Sequence, residues 1–188
     1  MAVINPVGKV PELVYYRKGS GYVLHDALKS DSPKFYKELL SQARSSICII
    51  DQYAFENNAL SVFESIASEN IKVYIYTIGY NEARLKEAAD NIKHILNQKI
   101  SNVQLTIISY RRLLRKEQYI PLWHDRYLII DNKDYYLVGN SLDGQQTSEK
   151  FHGIYHLQDS KDKAIVSNLY DYYKNSYNNI RACKITRN

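Results

Sequence analysis

The spacing of apolar and polar residues changes several times along the chain, and each change predicts a new secondary-structure element. Short apolar runs at 46–51, 71–78 and 103–109 predict buried strands. Apolar residues at helical spacing predict helices that start near Ser32, near Asn57 or Asn58, and near residue 81. A helix therefore precedes each strand, which favours parallel strands joined by right-handed crossovers, with helices on both faces of the sheet.

Strand-like runs follow at 123–131, 134–139 and 151–158, and a closing helix is predicted from Ser160. The first two of these runs are close enough to form a hairpin, so the sheet should contain strands of both directions. The predicted fold class is α/β, with a mixed β-sheet flanked by helices on both faces. The core face of the closing helix is expected to consist of Ile165, Leu169, Tyr172 and Tyr173.

Residues 1–30 are predicted to form an N-terminal appendage to a domain that spans residues 31–188. Two short apolar segments flank the turn-forming residues Gly19, Ser20 and Gly21, which predicts a hairpin. The N-terminal segment lacks the basic and apolar regions of a secretory signal, and no run approaches the roughly 20 apolar residues that span a bilayer. We therefore expect a cytoplasmic protein.

Charge and composition allow an acidic partner without identifying one. The formal net charge is +5 and the sequence pI is about 9.0. The chain also contains 18 tyrosines, which either stack on the rings of a ligand or pack at the edge of the core. Its two cysteines, Cys48 and Cys183, lack metal-ligand or redox spacing, and Cys48 is expected to be a buried thiol.

The sequence His-Asp-Arg at 124–126 opens a run that otherwise has the pattern of a core strand. Because side chains alternate between the faces of a strand, His124 and Arg126 are expected to share one face. Asp131 lies an odd number of residues from His124 and is expected to organise the hairpin turn or neighbouring backbone instead. An imidazole and a guanidinium at one strand end suit a phosphate group, because arginine offers two parallel donors to its oxygens.

The return strand of the hairpin should add hydrogen-bonding groups to this pocket. A three-residue loop at 132–134 would pair Arg126 with Asn140, whereas a two-residue loop would pair Arg126 with Ser141. Either register brings both Asn140 and Ser141 close to the histidine–arginine pair. These two residues are therefore predicted to bind phosphate.

The pattern His124-x-Arg126-x4-Asp131, followed by Gly139-Asn140-Ser141, resembles the motif of the phospholipase D superfamily. That motif is usually His-x-Lys-x4-Asp and then Gly-Ser-x-Asn. HDRYLIID with a downstream GxSL is more closely similar to the His-Asp-Arg branch of phospholipase D-like domains. This branch includes small bacterial modules and the membrane-binding domain of MIT-domain proteins. SICIIDQYAF also resembles its first strand, which typically runs into Asp-Pro-Tyr, and the likeness spans roughly residues 33–178.

The resemblance implies a phospholipase D-like sandwich and phosphodiester chemistry that needs neither a metal nor a cofactor. One histidine attacks phosphorus to form a phosphohistidine, and a second, from another motif copy, protonates the leaving group. This chain carries one copy, so an active enzyme would pair two chains across a twofold axis. His124 and Arg126 would be catalytic, and Asp131 and Gly139 would support the site.

Three features depart from the family pattern. Arg126 stands where lysine is usual and cannot exchange a proton in the reaction. Gly139 comes one residue late. Asp143 stands near the position of an expected asparagine, where its carboxylate would repel a phosphodiester. These departures favour binding of phosphate without cleavage.

Further residues near the motif are candidates to line or approach the pocket. Asp51 and Tyr53 close the first predicted strand, at the edge where α/β sheets form pockets. Trp123 either stacks on a ring of the ligand or packs at the strand edge, and Asp143 is a fourth candidate for the lining. The preceding basic segment either guides a polyanion or forms a solvated helical turn, and it comprises Arg111, Arg112, Arg115 and Lys116.

Three functions stay open at the level of sequence. The favoured one is a metal-independent phosphodiesterase, specifically a nuclease that acts as a homodimer. The second is an inactive module that binds the phosphates of nucleic acid or of anionic membrane lipid, for instance in defence against mobile DNA. The third is a dimerisation or scaffold domain in which His124 is structural. A chain of this size also fits as one subunit of a larger system with partner subunits.

Overall fold

The computed structural model describes residues 14–16, 21–24, 31–55, 59–110, 126–138, 152–176 and 182–188. These residues form helices on both sides of one β-sheet. In chain order the elements are β1 Val14–Tyr16, β2 Gly21–Leu24, α1 Asp31–Leu40, β3 Ser46–Ile50, a 3₁₀ helix Ala59–Ser65, β4 Asn70–Ile78, α2 Glu82–Asn97, β5 Asn102–Tyr110, β6 Arg126–Ile130, β7 Asp134–Val138, β8 His152–Leu157, α3 Ser160–Ser176 and β9 Ala182–Arg187.

The described strands form one sheet in the order β1-β2-β8-β7-β6-β3-β4-β5-β9. Strands β3, β4 and β5 are parallel, as the alternation of helices and strands predicted. The other neighbouring pairs are antiparallel, so the predicted mixed α/β fold class is confirmed. β3 lies between its parallel neighbour β4 and its antiparallel neighbour β6, which brings the end of β3 beside the start of β6.

Each face of the sheet has its own core because side chains alternate along the strands. Ile47 and Ile49 of β3 pack with buried residues of α1, the 3₁₀ helix and α2, and we call this side the α1/α2 face. Cys48 and Ile50 point to the opposite side and pack with residues of α3, and we call this side the α3 face. Helices therefore cover both faces, as predicted.

Tyrosines supply much of the core on the α3 face. Tyr76, Tyr110 and Tyr173 are each 1% exposed, and the Tyr110 hydroxyl donates a hydrogen bond to the Tyr173 carbonyl. Burial raises the pKa of these phenols and of the Cys48 thiol. These tyrosines pack in the core, which is one of the two roles that the composition allowed. Cys48 is a buried thiol, as expected.

Two helical segments differ from the predictions. The helix predicted after β3 is a short 3₁₀ helix, in which Ala59 and Val62 are buried at the three-residue spacing of that helix type. In α3 the predicted core residues Ile165 and Tyr172 are 64% and 46% exposed. The residues of α3 that pack against the sheet are Val166, Leu169, Tyr170 and Tyr173. The apolar residues of α3 form two overlapping stripes, and contact with the sheet selects one of them.

The edge of the sheet beyond β5 carries a strand that the sequence pattern did not predict. β9 pairs with β5 in the antiparallel direction, from Leu105 opposite Arg187 to Tyr110 opposite Ala182. The segment ACKITR alternates apolar and polar residues only from Cys183 to Thr186, which is a weak signal. Its partner β5 supplies the pairing that makes it a strand.

The two strands of the predicted N-terminal hairpin pair with each other, with Val14 opposite Val23. β2 also pairs with β8, so the described strands on either side of residue 30 share one sheet. The division into an appendage at 1–30 and a domain at 31–188 stays a prediction.

The register of the β6–β7 hairpin differs from both predicted registers. The Lys133 N–H donates to the Ile130 carbonyl at 3.0 Å, and Asp131 and Asn132 have φ values of 54° and 52°. Positive φ at both central residues is typical of a type I′ turn, and Asp and Asn tolerate it better than most residues. The strands pair Arg126 with Val138, so the predicted pairings of Arg126 with Asn140 or Ser141 are both wrong.

The physical reason for the shifted register is that Asp131 leaves the strand one residue earlier than expected. Its carboxylate binds the backbone that leads into β3, which requires Asp131 to occupy the turn rather than a paired strand position. None of the helices in the described ranges is long and apolar enough to cross a membrane.

Candidate functional site

The first part of the candidate site lies where β3 ends and β6 begins. Arg126, the first residue of β6, is 9% exposed, and Asp51, which directly follows β3, is 0% exposed. The Arg126 Nε–H donates to the Asp51 Oδ1 at 3.3 Å, so the two buried charges form an ion pair. Burying two charges is costly unless each is paired and hydrogen-bonded, and this contact meets that requirement.

Tyr53 completes the surroundings of this ion pair. Its backbone N–H donates to the Asp51 Oδ1 at 2.9 Å, which ties the loop after β3 to the buried carboxylate. The Arg126 guanidinium carbon lies 5.7 Å from the centroid of the Tyr53 ring, within the range of a cation–π contact. The guanidinium is therefore held from two sides, by a carboxylate and by an aromatic ring.

Arg126 and Asp51 belong to a row of buried polar residues that crosses four neighbouring strands. We call this the polar row, and it consists of Arg126 on β6, Asp51 after β3, Thr77 on β4 and Ser109 on β5. In the described part of the chain, these four are the buried polar or charged residues. All four lie on the α1/α2 face, at the carboxyl ends of the parallel strands, which we call the site edge. Ligands of α/β sheets commonly bind at such an edge.

The polar row anchors the loops that leave the site edge. The Thr77 hydroxyl donates to the Gln52 carbonyl at 3.2 Å, in the loop after β3. The Ser109 hydroxyl oxygen accepts from the Tyr80 N–H at 3.0 Å, in the loop after β4. Together with the bond from Tyr53 to Asp51, these contacts satisfy buried polar atoms and hold two loop backbones in place.

A second arginine, in the first turn of α2, lies on an aromatic ring of the loop after β4. The guanidinium carbon of Arg84 lies 5.1 Å from the centroid of the Tyr80 ring. Tyr80 and Phe55 meet edge to face, with their ring centroids 5.3 Å apart and an interplanar angle of 74°. Phe55 belongs to the same loop as Tyr53, so the aromatic residues of the two loops form adjacent parts of one surface.

Asp131 lies at the other end of β6, roughly 16 Å from Arg126 at the rise of a β-strand. Its carboxylate accepts backbone N–H donors from Arg44, Ser45 and Ser46 at 2.7 to 3.1 Å, and the Ser45 hydroxyl at 2.9 Å. Partial burial raises the pKa of Asp131, but these hydrogen bonds outweigh it and leave the pKa below its usual value. Asp131 thus organises backbone at the edge opposite the site edge, which we call the turn edge.

Of the residues that the sequence predicted for the site, the structure brings Arg126, Asp51 and Tyr53 together and sets Asp131 apart. Their roles in binding or catalysis stay predictions. The other candidates lie outside the described residues, namely His124, Trp123, Gly139, Asn140, Ser141, Asp143, Arg111, Arg112, Arg115 and Lys116.

His156 lies away from the polar row. Its Nε2 is 3.3 Å from the Asp134 Oδ1, and its ring stacks on Tyr136 with centroids 4.7 Å apart. Asp134 begins β7 next to the hairpin turn, so this histidine belongs to the turn-edge side of the sheet. Within the ranges that the structure describes, no group of three or more His, Cys, Asp or Glu side chains could hold a metal ion.

The sequence interpretation missed Thr77, Ser109, Tyr80 and Arg84. A signal was present for the first two, because each is a small hydroxyl residue between two apolar neighbours near the carboxyl end of a parallel strand. Asp51 holds the corresponding place after β3. Nothing in the local spacing singles out Arg84, which reaches the site edge only because the turn at Gly79 sets α2 there, with φ of 85° at that glycine.

No protein-family model and no curated protein matches the chain. Solved structures do share its fold. NucT from Helicobacter pylori superposes with a TM-score of 0.54 at 19% identity, covering 81% of this chain and 92% of NucT. This likeness shows the fold, a mixed β-sheet with helices on both faces.

Two further solved structures match with lower scores. The archaeal chromatin protein TrmBL2 has a TM-score of 0.43 at 16% identity, covering 81% of this chain and 51% of TrmBL2. Polyphosphate kinase from Porphyromonas gingivalis has a TM-score of 0.42 at 10% identity, covering 84% of this chain and 22% of the kinase.

Proposed function

We propose that the protein is a metal-independent phosphodiesterase of the phospholipase D-like type, and specifically a nuclease that acts as a homodimer. The observation that carries the proposal is the buried guanidinium of Arg126 at the site edge, held by Asp51 and Tyr53. Arg126 follows His124 by two residues in the sequence, which is the spacing of the family motif. The phospholipase D-like fold supports the same interpretation at a coarser level.

In the proposed reaction, Arg126 binds the oxygens of the phosphodiester while His124 attacks phosphorus. The bond from phosphorus to the leaving oxygen breaks, and His124 of the partner subunit donates a proton to that oxygen. Water then attacks the phosphohistidine, the same partner histidine takes its proton, and the bond between phosphorus and nitrogen breaks. The product is a phosphomonoester, and both imidazoles return to their initial states.

Arg126 has an electrostatic role in this scheme. Its guanidinium contributes charge and geometry and takes no part in proton transfer. Asp51 fixes its orientation and offsets part of its charge. We therefore expect slower turnover than a site with an unpaired cation would give, because less positive charge acts on the phosphoryl oxygens.

Hydrolysis in the presence of EDTA tests this proposal. Labelled DNA and RNA oligonucleotides and bis(4-nitrophenyl) phosphate would be incubated with the wild type, His124→Ala and Arg126→Lys. The wild type should cleave, and His124→Ala should be slower by at least about a thousandfold because it lacks the nucleophile. The pH profile should show a group that titrates near neutrality, since the neutral imidazole attacks.

The matched control is Lys133→Ala, which removes one exposed positive charge at the turn edge and should cleave like the wild type. The homodimer is tested by sedimentation of the wild type. Absence of cleavage by the wild type, or equal cleavage by His124→Ala, contradicts the enzymatic proposal.

A second candidate function is phosphate recognition without cleavage, and the Arg126–Asp51 ion pair favours it. An ion pair presents little net charge to a phosphoryl group, which serves selective binding better than stabilisation of a transition state. In that case the wild type binds oligonucleotides in a salt-dependent manner without cleaving them. Arg126→Ala would abolish binding, and His124→Ala would retain it.

A further inference from the structure

Two arginines at the site edge are held on tyrosine rings in the same way. Arg126 lies over Tyr53 at 5.7 Å, and Arg84 lies over Tyr80 at 5.1 Å. The two tyrosines belong to the loops after the neighbouring strands β3 and β4. Phe55 connects the loops by its edge-to-face contact with Tyr80. The site edge therefore repeats one arrangement on two adjacent loops.

Hydrogen bonds to buried acceptors hold the backbone that carries each ring. Tyr53 is held through its N–H by the carboxylate of Asp51, and Tyr80 is held through its N–H by the hydroxyl of Ser109. The acceptor of each bond is buried, since Asp51 is 0% exposed and Ser109 is 1% exposed. The backbones that carry the two rings are therefore fixed by the fold, and each ring offers a defined place for an arginine.

The two arginines differ in their charge partners. Arg126 is paired with Asp51, whereas no acidic side chain among the described residues forms an ion pair with the exposed Arg84. Its neighbour Glu82 is paired with Lys86, with 2.7 Å between the Oε1 and the Nζ. Arg84 lies in the first turn of α2, where a positive charge is unfavourable for the helix. Its charge thus serves neither the helix nor an acidic partner among the described residues.

We propose that Arg84 is a second phosphate-binding position, so that the site edge takes a polynucleotide strand rather than one isolated phosphate ester. The inference rests on the proposed function, in which Arg126 binds the reacting phosphodiester. Arg84 then binds a neighbouring phosphate of the same strand. The partly exposed rings of Tyr80 and Phe55 lie beside it, where a base of the strand stacks.

The distribution of exposed apolar residues favours a polynucleotide over a membrane surface. In the part of the chain that the structure describes, the large exposed hydrophobic residues are Tyr155, Ile165 and Tyr172. They belong to β8 and α3, not to the loops of the site edge. A membrane-binding surface combines basic residues with exposed apolar side chains that insert between lipids, and the described part of the site edge has no large hydrophobic residue in the exposed class.

The test compares binding of a labelled single-stranded oligonucleotide over a range of salt concentrations, followed by fluorescence anisotropy. Arg84→Ala should weaken binding about fivefold and lower the slope of log K against log salt by about 0.7, the value for one lost contact to a single strand. Arg84→Lys keeps the charge and should keep the slope. Lys133→Ala removes the same charge at the turn edge and should match the wild type.

Two further measurements complete the test. The kcat/KM of Arg84→Ala should fall about fivefold more for the oligonucleotide than for bis(4-nitrophenyl) phosphate, which has one phosphate. Thermal melts should show that all variants fold, since Arg84 and Lys133 are exposed. An Arg84→Ala variant with the affinity and salt slope of the wild type overturns the inference, even if the wild type cleaves.

A different result would show that the proposed function is wrong while the second binding position is right. If Arg84→Ala lowers the salt slope but no variant cleaves either substrate, the second binding position stands and the nuclease proposal fails. Vesicles of phosphatidylcholine with one-fifth phosphatidylserine give the remaining comparison. If Arg84→Ala weakens binding to these vesicles and leaves oligonucleotide binding unchanged, the site edge binds a membrane and the inference is wrong.

Discussion

Strand β6 has a charged residue at each end, and the two ends hold their charges by different means. Arg126 at the site edge is buried and paired with the buried carboxylate of Asp51. Asp131 at the turn edge is only partly buried, and backbone N–H groups surround its carboxylate. The first arrangement needs a second charged side chain from a distant part of the sequence. The second uses donors that every backbone provides.

The difference explains why the two ends of one motif serve different purposes. A carboxylate bound to backbone N–H groups fixes a turn and stabilises the entry to β3, as capping residues do at helix ends. A buried ion pair is weak evidence for stability, because desolvation offsets most of the attraction between the charges. The Arg126–Asp51 pair is consistent with the proposal that Arg126 binds phosphate, because it holds the guanidinium in one position at the site edge.

The largest expected effect comes from leaving the Asp51 carboxylate buried without its cation. Arg126→Met keeps most of the side-chain volume and should lower the free energy of unfolding by about 3–5 kcal/mol. Urea denaturation measures this loss. The double variant Asp51→Asn with Arg126→Met should recover at least about 1 kcal/mol, because it also removes the buried charge. Equal stability of the single and the double variant would show that Asp51 is not a buried charge.

A smaller effect is expected from Asp131→Ala, which removes the acceptor for the backbone around Ser45. Water can reach these partly exposed donors, so the free energy of unfolding should fall by only about 1–2 kcal/mol. Asp131→Asn keeps one acceptor oxygen and tolerates positive φ, so it should lose less. Both variants should bind and cleave like the wild type once folded. A loss of activity without a loss of stability would place Asp131 in the site.

The pH dependence of stability separates the two ends further. Since the folded state lowers the pKa of Asp131, its contribution is present above the unfolded value of about 3.9 and is lost as pH falls through the folded pKa. The difference in unfolding free energy between the wild type and Asp131→Asn should therefore stay constant above about pH 5 and shrink below pH 4. Urea titrations at a series of pH values measure it. A difference that persists unchanged to pH 2.5 contradicts this account.

The smallest effect is expected from Asp90, which forms an ion pair with Arg187 on the surface, with the Nε and the Oδ1 2.8 Å apart. The hydrogen bond from Arg187 lowers the pKa of Asp90 even though water surrounds the pair. Exposed pairs contribute little because solvent screens them. Asp90→Asn should therefore have the same urea midpoint as the wild type within experimental error. A clear shift would mean that this surface pair anchors β9 to α2.

Much of the fold could be predicted from local spacing. Apolar runs of strand length with helical segments between them are a strong signal, and the parallel order of β3, β4 and β5 follows from the length of the connections. Alternation along β6 also separates Arg126 from Asp131, because the faces of a strand depend only on residue parity. Asp51 and Tyr53 are candidates for a different local reason, because they follow a buried parallel strand at the edge where α/β sheets bind ligands.

Tertiary structure decided what local spacing leaves open. The β6–β7 register depends on Asp131 reaching the backbone of residues 44–46, which are far away in the sequence. Contact with the sheet selects one of two apolar stripes on α3, and pairing with β5 makes a strand of the weakly patterned β9. The polar row is likewise a property of the assembled sheet, because its four residues are neighbours only when four strands align.

The sequence by itself thus determined which residues face the same side, since this depends on the geometry of single strands and helices. Only the folded sheet decided that Arg126 meets Asp51 and that Arg84 lies on Tyr80 near them, since these contacts join segments about 75 residues apart or lie across a turn. The charge of a residue follows from its type, which the amino-acid sequence specifies. Long-range packing decides whether another side chain neutralises that charge or whether the charge stays exposed to a ligand.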